Sequence, residues 1–186
     1  MLSKLKFLVS QPGLALRDRL TSDSPLSPPA GEFVKGINLG GEAVVIDGNP
    51  WLSYSEALAT GLSAPGVTVA QTYRIPKPHA QGEMRAMLNT VIFKTQTLAL
   101  EQSLPNGRYD LYLWIMENFQ TNWHSLELQV ASQPIAQGLG QLSLDGWARY
   151  GPYTVAVNEG WLNLALTTHS PEIDAHLMGL SLHRVD

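Results

Sequence analysis

The chain has 186 residues, 44% of them hydrophobic, with 12 lysines and arginines against 16 aspartates and glutamates, and no cysteine. That is enough apolar content for one domain with a full core and a short extension. A net charge of −4 with no basic cluster argues against nucleic acid as a partner, no apolar run is long enough for a transmembrane helix, and the lack of cysteine removes disulfides, thiolate metal sites and cysteine nucleophiles together.

Lys4 and Lys6 precede Phe7-Leu8-Val9, but this apolar block ends at Ser10-Gln11-Pro12. It is shorter than the roughly seven residues a secretory signal requires, so no clear signal peptide is read and a cytoplasmic location is favoured. The segment reads instead as a short helix, continued by Leu14, Leu16 and Leu20, that packs on the domain, on a protein partner or on a second copy of the chain. Pro25, Pro28 and Pro29 among serines read as a linker. The expected division is an extension and Pro/Ser-rich linker over residues 1–32 and a β-domain over 33–186.

Phe33 to Leu39 reads as a first strand and Ala43 to Ile46 as a second, followed by a strong turn signal at Asp47-Gly48-Asn49-Pro50. Residues 55–65 have room for a helical turn. Val67, Val69 and Tyr73 read as a short strand, and Met84, Met87, Leu88 and Val91 have the spacing of one short helix. Leu98 and Leu100 begin another strand. Pro105-Asn106-Gly107 then opens the run Arg108 to Met116, which is apolar on both faces and so reads as a buried strand. A polar loop, Asn118 to Ser125, sets Phe119 and Trp123 among amides. Leu126, Leu128 and Val130 alternate with Glu127 and Gln129, a strand with one wet face, and the two strands around this loop read as a hairpin. Further on, Leu142 and Leu144 alternate, Trp147 to Val157 leads to a turn at Asn158-Glu159-Gly160, and Leu162, Leu164 and Leu166 mark a half-buried strand. Ala175 to Val185 reads as one closing strand with a bulge at Gly179. Short strands punctuated by turns at intervals of about 8–12 residues specify an all-β sandwich or jelly roll.

Gly36-Ile37-Asn38-Leu39-Gly40-Gly41 with Val45-Ile46-Asp47-Gly48 and Trp51, Gly107 to Leu113 ending in Glu117, Trp147 with Gly151-Pro152-Tyr153, and Ala175 to Leu180 occur in the order and spacing of malectin-like carbohydrate-binding domains, which this chain resembles over about Phe33 to Val185. The resemblance implies a galactose-binding-like jelly roll that binds an oligo- or polysaccharide without cleaving it, with loop aromatics at one end of the sandwich stacked on sugar rings. The loop after the central strand, here Asn118-Phe119-Gln120, is one such loop. Malectin itself has a tyrosine before that phenylalanine, where this chain has Asn118, so the sugar's identity does not carry over. Asp174 and Glu172 both lie near the segment that holds malectin's sugar-binding aspartate.

Sugars offer a C–H face and a rim of hydroxyls, which exposed rings and polar side chains respectively complement. The candidate ligand-binding residues are Tyr54, Tyr73, Glu117, Asn118, Phe119, Trp123 and His124. Phe119 and Trp123 either present their rings to a ligand or fold back as loop anchors; Trp51 and Trp147 read as structural plugs. None of the five histidines has zinc-helix or His-x-His spacing, and the carboxylates form no dense cluster, so no metal site, calcium ion or other cofactor is expected. There is no Gly-x-Ser-x-Gly elbow or phosphate loop, and no catalytic residue is assigned. The alternative to a sugar-binding module is a protein-interaction or assembly module using residues 1–32 and the Tyr112, Trp114 and Met116 face.

Overall fold

A computed structural model describes residues 27–185. The readings made for residues 1–26, a short helix and most of the linker, lie outside them. The chain runs β1 (Glu32–Asn38), β2 (Val44–Ile46), β3 (Asn49–Trp51), α1 (Tyr54–Ala59), β4 (Leu62–Ser63), β5 (Thr68–Gln71), α2 (Gly82–Leu88) and β6 (Thr90–Thr95). It continues through β7 (Thr97–Ser103), β8 (Gly107–Met116), β9 (Leu126–Val130), β10 (Gln133–Leu139) and β11 (Trp147–Val157) to β12 (Trp161–Thr168), β13 (Asp174–Leu177) and β14 (Gly179–Val185).

One sheet has the order β1-β14-β8-β11 and a second the order β10-β9-β12-β7-β4. Their facing side chains make the main core: Leu111, Leu113 and Ile115 of β8 meet Leu126 and Leu128 of β9 and Leu166 of β12. The architecture is the all-β sandwich that the strand pattern specifies. A third sheet, β13-β6-β5, sits at one end, and the β2-β3 hairpin closes a second core. That hairpin turns on Asp47 and Gly48, both at positive φ (52° and 78°), as a tight turn matched to strand twist requires. Strand β8 is buried from Tyr109 to Met116, because its other face lies under Trp51, Met87 and the hairpin. Among the described residues no helix is long and apolar enough to cross a membrane.

Several expectations are corrected. There are two short helices rather than one: α1 lies in the segment read as a helical turn, and a reciprocal capping box between Ser53 and Glu56 starts it. Strands β8 and β9 are not a hairpin, since they lie in opposite sheets and the loop between them crosses the sandwich. The hairpin partner of β9 is β10, joined through Ala131 and Ser132 at φ 48° and 63°, conformations that neither residue type advertises. Leu142 and Leu144 lie in a loop, not a strand. The closing segment is two strands: β13 pairs with β6, the chain changes sheet at Met178, and β14 pairs with β1 and β8. Gly179 makes that step possible, because a Cβ there would lie 2.9 Å from Met87 Sδ and 3.0 Å from Trp51. Tyr112, Trp114 and Met116 are at most 3% exposed, so they form core and not a docking face. The described chain before β1 rests on this side of the molecule: Arg149 donates to the Ser27 carbonyl (2.7 Å) and the Ala30 N–H donates to the Tyr112 hydroxyl (3.3 Å).

Candidate ligand-binding site

The loop that crosses between the sheets is pinned by the residue where β8 ends. Glu117 is held at its backbone by Gly146 and Asp145, both at 2.8 Å. Its side chain is fully buried. One carboxylate oxygen accepts the Phe119 N–H (3.0 Å), the other accepts the His124 N–H (3.1 Å), and His124 Nδ1 lies 3.1 and 3.0 Å from the two. One carboxylate thus fixes both ends of the loop. The middle is tied down by the Asn122 N–H on the Leu142 carbonyl (2.7 Å) and by the Leu144 N–H on Thr121 Oγ1 (3.0 Å).

Fixing the loop presents its aromatics. Phe119 is 61% exposed and Trp123 half-buried, their ring centroids 4.9 Å apart at an interplanar angle of 53°. They form one wall of a cavity of about 300 Å³. Its other side is the outer face of the third sheet. Period-two alternation sends Ala175 and Leu177 of β13 to the main core and leaves Asp174 and His176 on the cavity face, next to Phe93 of β6 and Ala70 of β5. Thr72, Asn118, His124 and Glu172 complete the lining.

A second segment borders the cavity. Asn89 accepts from the Thr72 hydroxyl (2.8 Å) and the Arg74 N–H (2.6 Å), and its own amide donates to the Arg74 carbonyl (3.2 Å). The Arg74 guanidinium donates to the Asn118 carbonyl (2.9 Å) and sits 3.4 Å from Asp145, which joins this segment to the crossing loop. Tyr73, between the two anchored residues, is 84% exposed.

Of the residues expected at a site, the fold brings Asn118, Phe119, Trp123 and His124 together on the cavity, with Glu117 behind them. Tyr73 stands beside the lining residue Thr72. Tyr54 is elsewhere: it opens α1, packs against the main core and does not line this cavity. Sequence reasoning did not assign His176, Thr72, Phe93 or Arg74, and it noted Asp174 and Glu172 without placing either in the site. The Asp-x-His spacing of 174 and 176 was the available signal, since it puts both side chains on one face of a strand.

The polar end of the cavity is electrostatically coupled. Burial pushes the Glu117 carboxyl upward, but its bonds from His124 and the Phe119 N–H outweigh this and hold it below the usual range. Burial likewise opposes charge on His124, yet Asp174 and Glu117 on its two sides raise its pKa. Asp174 is lowered, the contacts with His124 overcoming its burial. His176 is pushed down to about 3 by burial and by the neighbouring His124. The His124 and His176 rings are edge to face, with centroids 3.8 Å apart. His124 Nε2 and both ring nitrogens of His176 are buried without a hydrogen-bond partner. The Met116 carbonyl favours a proton on His176 but is not placed to complete a bond.

No protein-family model matches the sequence, and no curated protein matches it. Solved structures do match the fold. A β-glucuronidase from Bacteroides uniformis aligns at a TM-score of 0.66 and 13% identity, over 82% of this chain and 18% of that one. The ANXUR2 extracellular domain from Arabidopsis thaliana aligns at 0.65 and 15%, over 83% and 49%, and the plant receptor-like kinase FER at 0.62 and 12%, over 81% and 42%. The chain thus spans about a fifth of the glucuronidase and up to about half of the receptor chains. Identities this low speak for the fold alone. That fold is a β-sandwich, the architecture that the family resemblance of the sequence motifs implies.

Proposed function

We propose that this domain is a non-catalytic carbohydrate-binding module, with a sugar ring lying against Phe119 and Trp123 and its hydroxyls meeting Asn118, Thr72, Glu172 and Asp174. The observation that carries this reading is Phe119: its ring is 61% exposed while its backbone is fixed by a buried carboxylate. An exposed ring contributes little to folding, and a pre-positioned ring loses little freedom when a ligand covers it. Tyr73, on the neighbouring anchored segment, extends the aromatic surface. The burial of Glu117 and its engagement by three donors support a positioning role for it over an acid or nucleophile.

Open, ring-based sites of this kind bind in the high-micromolar to millimolar range, roughly −4 to −6 kcal/mol. A glycan array followed by titration of the best binder tests the reading. Phe119→Ala and Trp123→Ala each weaken binding at least about tenfold, the loss of roughly 1.4 kcal/mol expected for a stacked ring. Binding that both variants leave intact rules out this face. If no glycan binds, the protein-interaction reading takes its place.

A further inference from the structure

Buried imidazole nitrogens are nearly always hydrogen-bonded, and leaving one unpaired is costly. His124 and His176 are each 1% exposed, and three of their four ring nitrogens have no partner. The fourth, His124 Nδ1, faces Glu117. Asp174 faces both rings, with one carboxylate oxygen 3.7 Å from His124 Nε2 and the other 4.0 Å from His176 Nδ1. Those separations are too long for hydrogen bonds. Yet one donor atom from each of the three residues lies within 4.8 Å of the others. All three residues line the cavity.

We propose that His124 Nε2, His176 Nδ1 and an Asp174 carboxylate oxygen bind one first-row divalent metal ion, of the zinc or iron(II) class, at the polar end of the cavity. Nitrogen and oxygen donors about 2.0–2.1 Å from a tetrahedral ion stand roughly 3.3 Å from one another, so the three side chains need to draw together by well under about 1 Å each. Two imidazoles and one carboxylate suit zinc or iron(II) and disfavour calcium, which takes oxygen ligands. Three protein ligands leave at least one coordination position open, and the half-exposed Asp174 and the cavity put it within a ligand's reach. Glu117 supplies the outer-shell carboxylate that such histidines use: its bond to Nδ1 fixes the tautomer that leaves Nε2 free. The sequence does not advertise the site because His124 arrives from the crossing loop, some fifty residues before the Asp-x-His pair on β13. The site shares the cavity with the sugar reading but does not depend on it, and its test needs no glycan.

The experiment uses the full chain without a histidine tag, stripped with chelator and titrated separately with Zn²⁺, Co²⁺, anaerobic Fe²⁺ and Ca²⁺. The expected result is one zinc or iron(II) ion per chain at micromolar concentration or below, a visible absorption band with Co²⁺, a rise in Tm on adding the ion, and no effect of Ca²⁺. Asp174→Asn, at a half-exposed position that folding tolerates, weakens binding at least about tenfold, and His176→Ala weakens it further. Glu117→Gln costs about 10–100-fold in affinity, and the exposed His169→Ala matches the parent protein. Failure of the parent protein to bind any first-row ion stoichiometrically, preference for Ca²⁺, or undiminished binding by Asp174→Asn overturns the proposal. If His176→Ala does not fold, the parent stoichiometry and Asp174→Asn decide the matter.

Discussion

Two places in this domain gather aromatic rings around a buried histidine, and they are put to different uses. Behind β8, Trp51 and Trp114 meet edge to face at 4.9 Å, Tyr112 meets His183 at 5.4 Å, and the Arg149 guanidinium lies 5.2 Å from the Tyr112 ring. The space left there is about 10 Å³. At the crossing loop, Phe119 and Trp123 also stand 4.9 Å apart, but beside a cavity of about 300 Å³. The ring types are alike; what carries them differs. The first set packs into the second core, where burial turns ring area into stability. The second sits on a loop that changes sheets, tied to a buried acid in place of a core, so its area stays available.

The comparison is broken most directly at Trp114, which is 1% exposed and packs against Trp51. Trp114→Ala is expected to cost about 3–5 kcal/mol, read from the denaturation midpoint at unchanged m-value. A loss below about 1 kcal/mol would mean that the second core contributes little, and the contrast between the regions would fail.

Much of this contrast was legible in the residues, and the reasons it was partial are physical. Both-face burial of β8 showed in its unbroken apolar run, and the one wet face of β12 in its alternating leucines. Short-range chemistry of this kind is written locally. Pairing is not: β8 and β9 looked like a hairpin because they are adjacent in sequence, whereas both partners of β8 lie dozens of residues away and β9 turns back on β10 and pairs with the distant β12. The split at Met178 was read as a bulge at Gly179, since the core-facing positions pass from Ala175 and Leu177 to Leu180 and Leu182, the one-residue shift that a bulge also makes. The site followed the same rule. Phe119, Trp123 and His124 were visible because one loop holds them, but His176 acquires its meaning only when β13 is laid beside that loop. Tyr54 was drawn in by the turn before Trp51, but the fold packs it against the main core, away from the cavity.

A second break uses protons. His183 is 3% exposed, its Nε2 lies 3.1 Å from Ser181 Oγ and its Nδ1 has no partner. Burial depresses its pKa, aided by Arg149 and opposed by the Gly31 backbone, Asp110 and Asp47. A histidine kept neutral in the fold contributes its full stability above the unfolded-state pKa, about 6.5. That stability is lost as pH falls through this value, because the unfolded chain then binds the extra proton. The slope for one group stays below about 1.4 kcal/mol per pH unit. His176, also depressed, adds a loss of the same sign, and His124, raised, opposes it. With chelator present, Tm measured from pH 7.5 to 5 should fall less steeply in His183→Gln than in the parent. Equal slopes would show that His183 titrates alike in the folded and unfolded chain, and that burial does not hold it neutral.

The smallest expected effect sharpens the comparison most. Phe119 has the ring area that makes Trp114 costly to remove, but it is 61% exposed, so truncation creates no cavity and returns little apolar surface to water. What holds its backbone is the Glu117 carboxylate on its N–H, which alanine keeps. Phe119→Ala should therefore change stability by no more than about 0.5 kcal/mol, measured in the same denaturant series as Trp114→Ala. A cost above about 1.5 kcal/mol would mean that the ring is a loop anchor whose contact with Trp123 holds the crossing loop in place, and the surface assigned to a ligand would then belong to the fold.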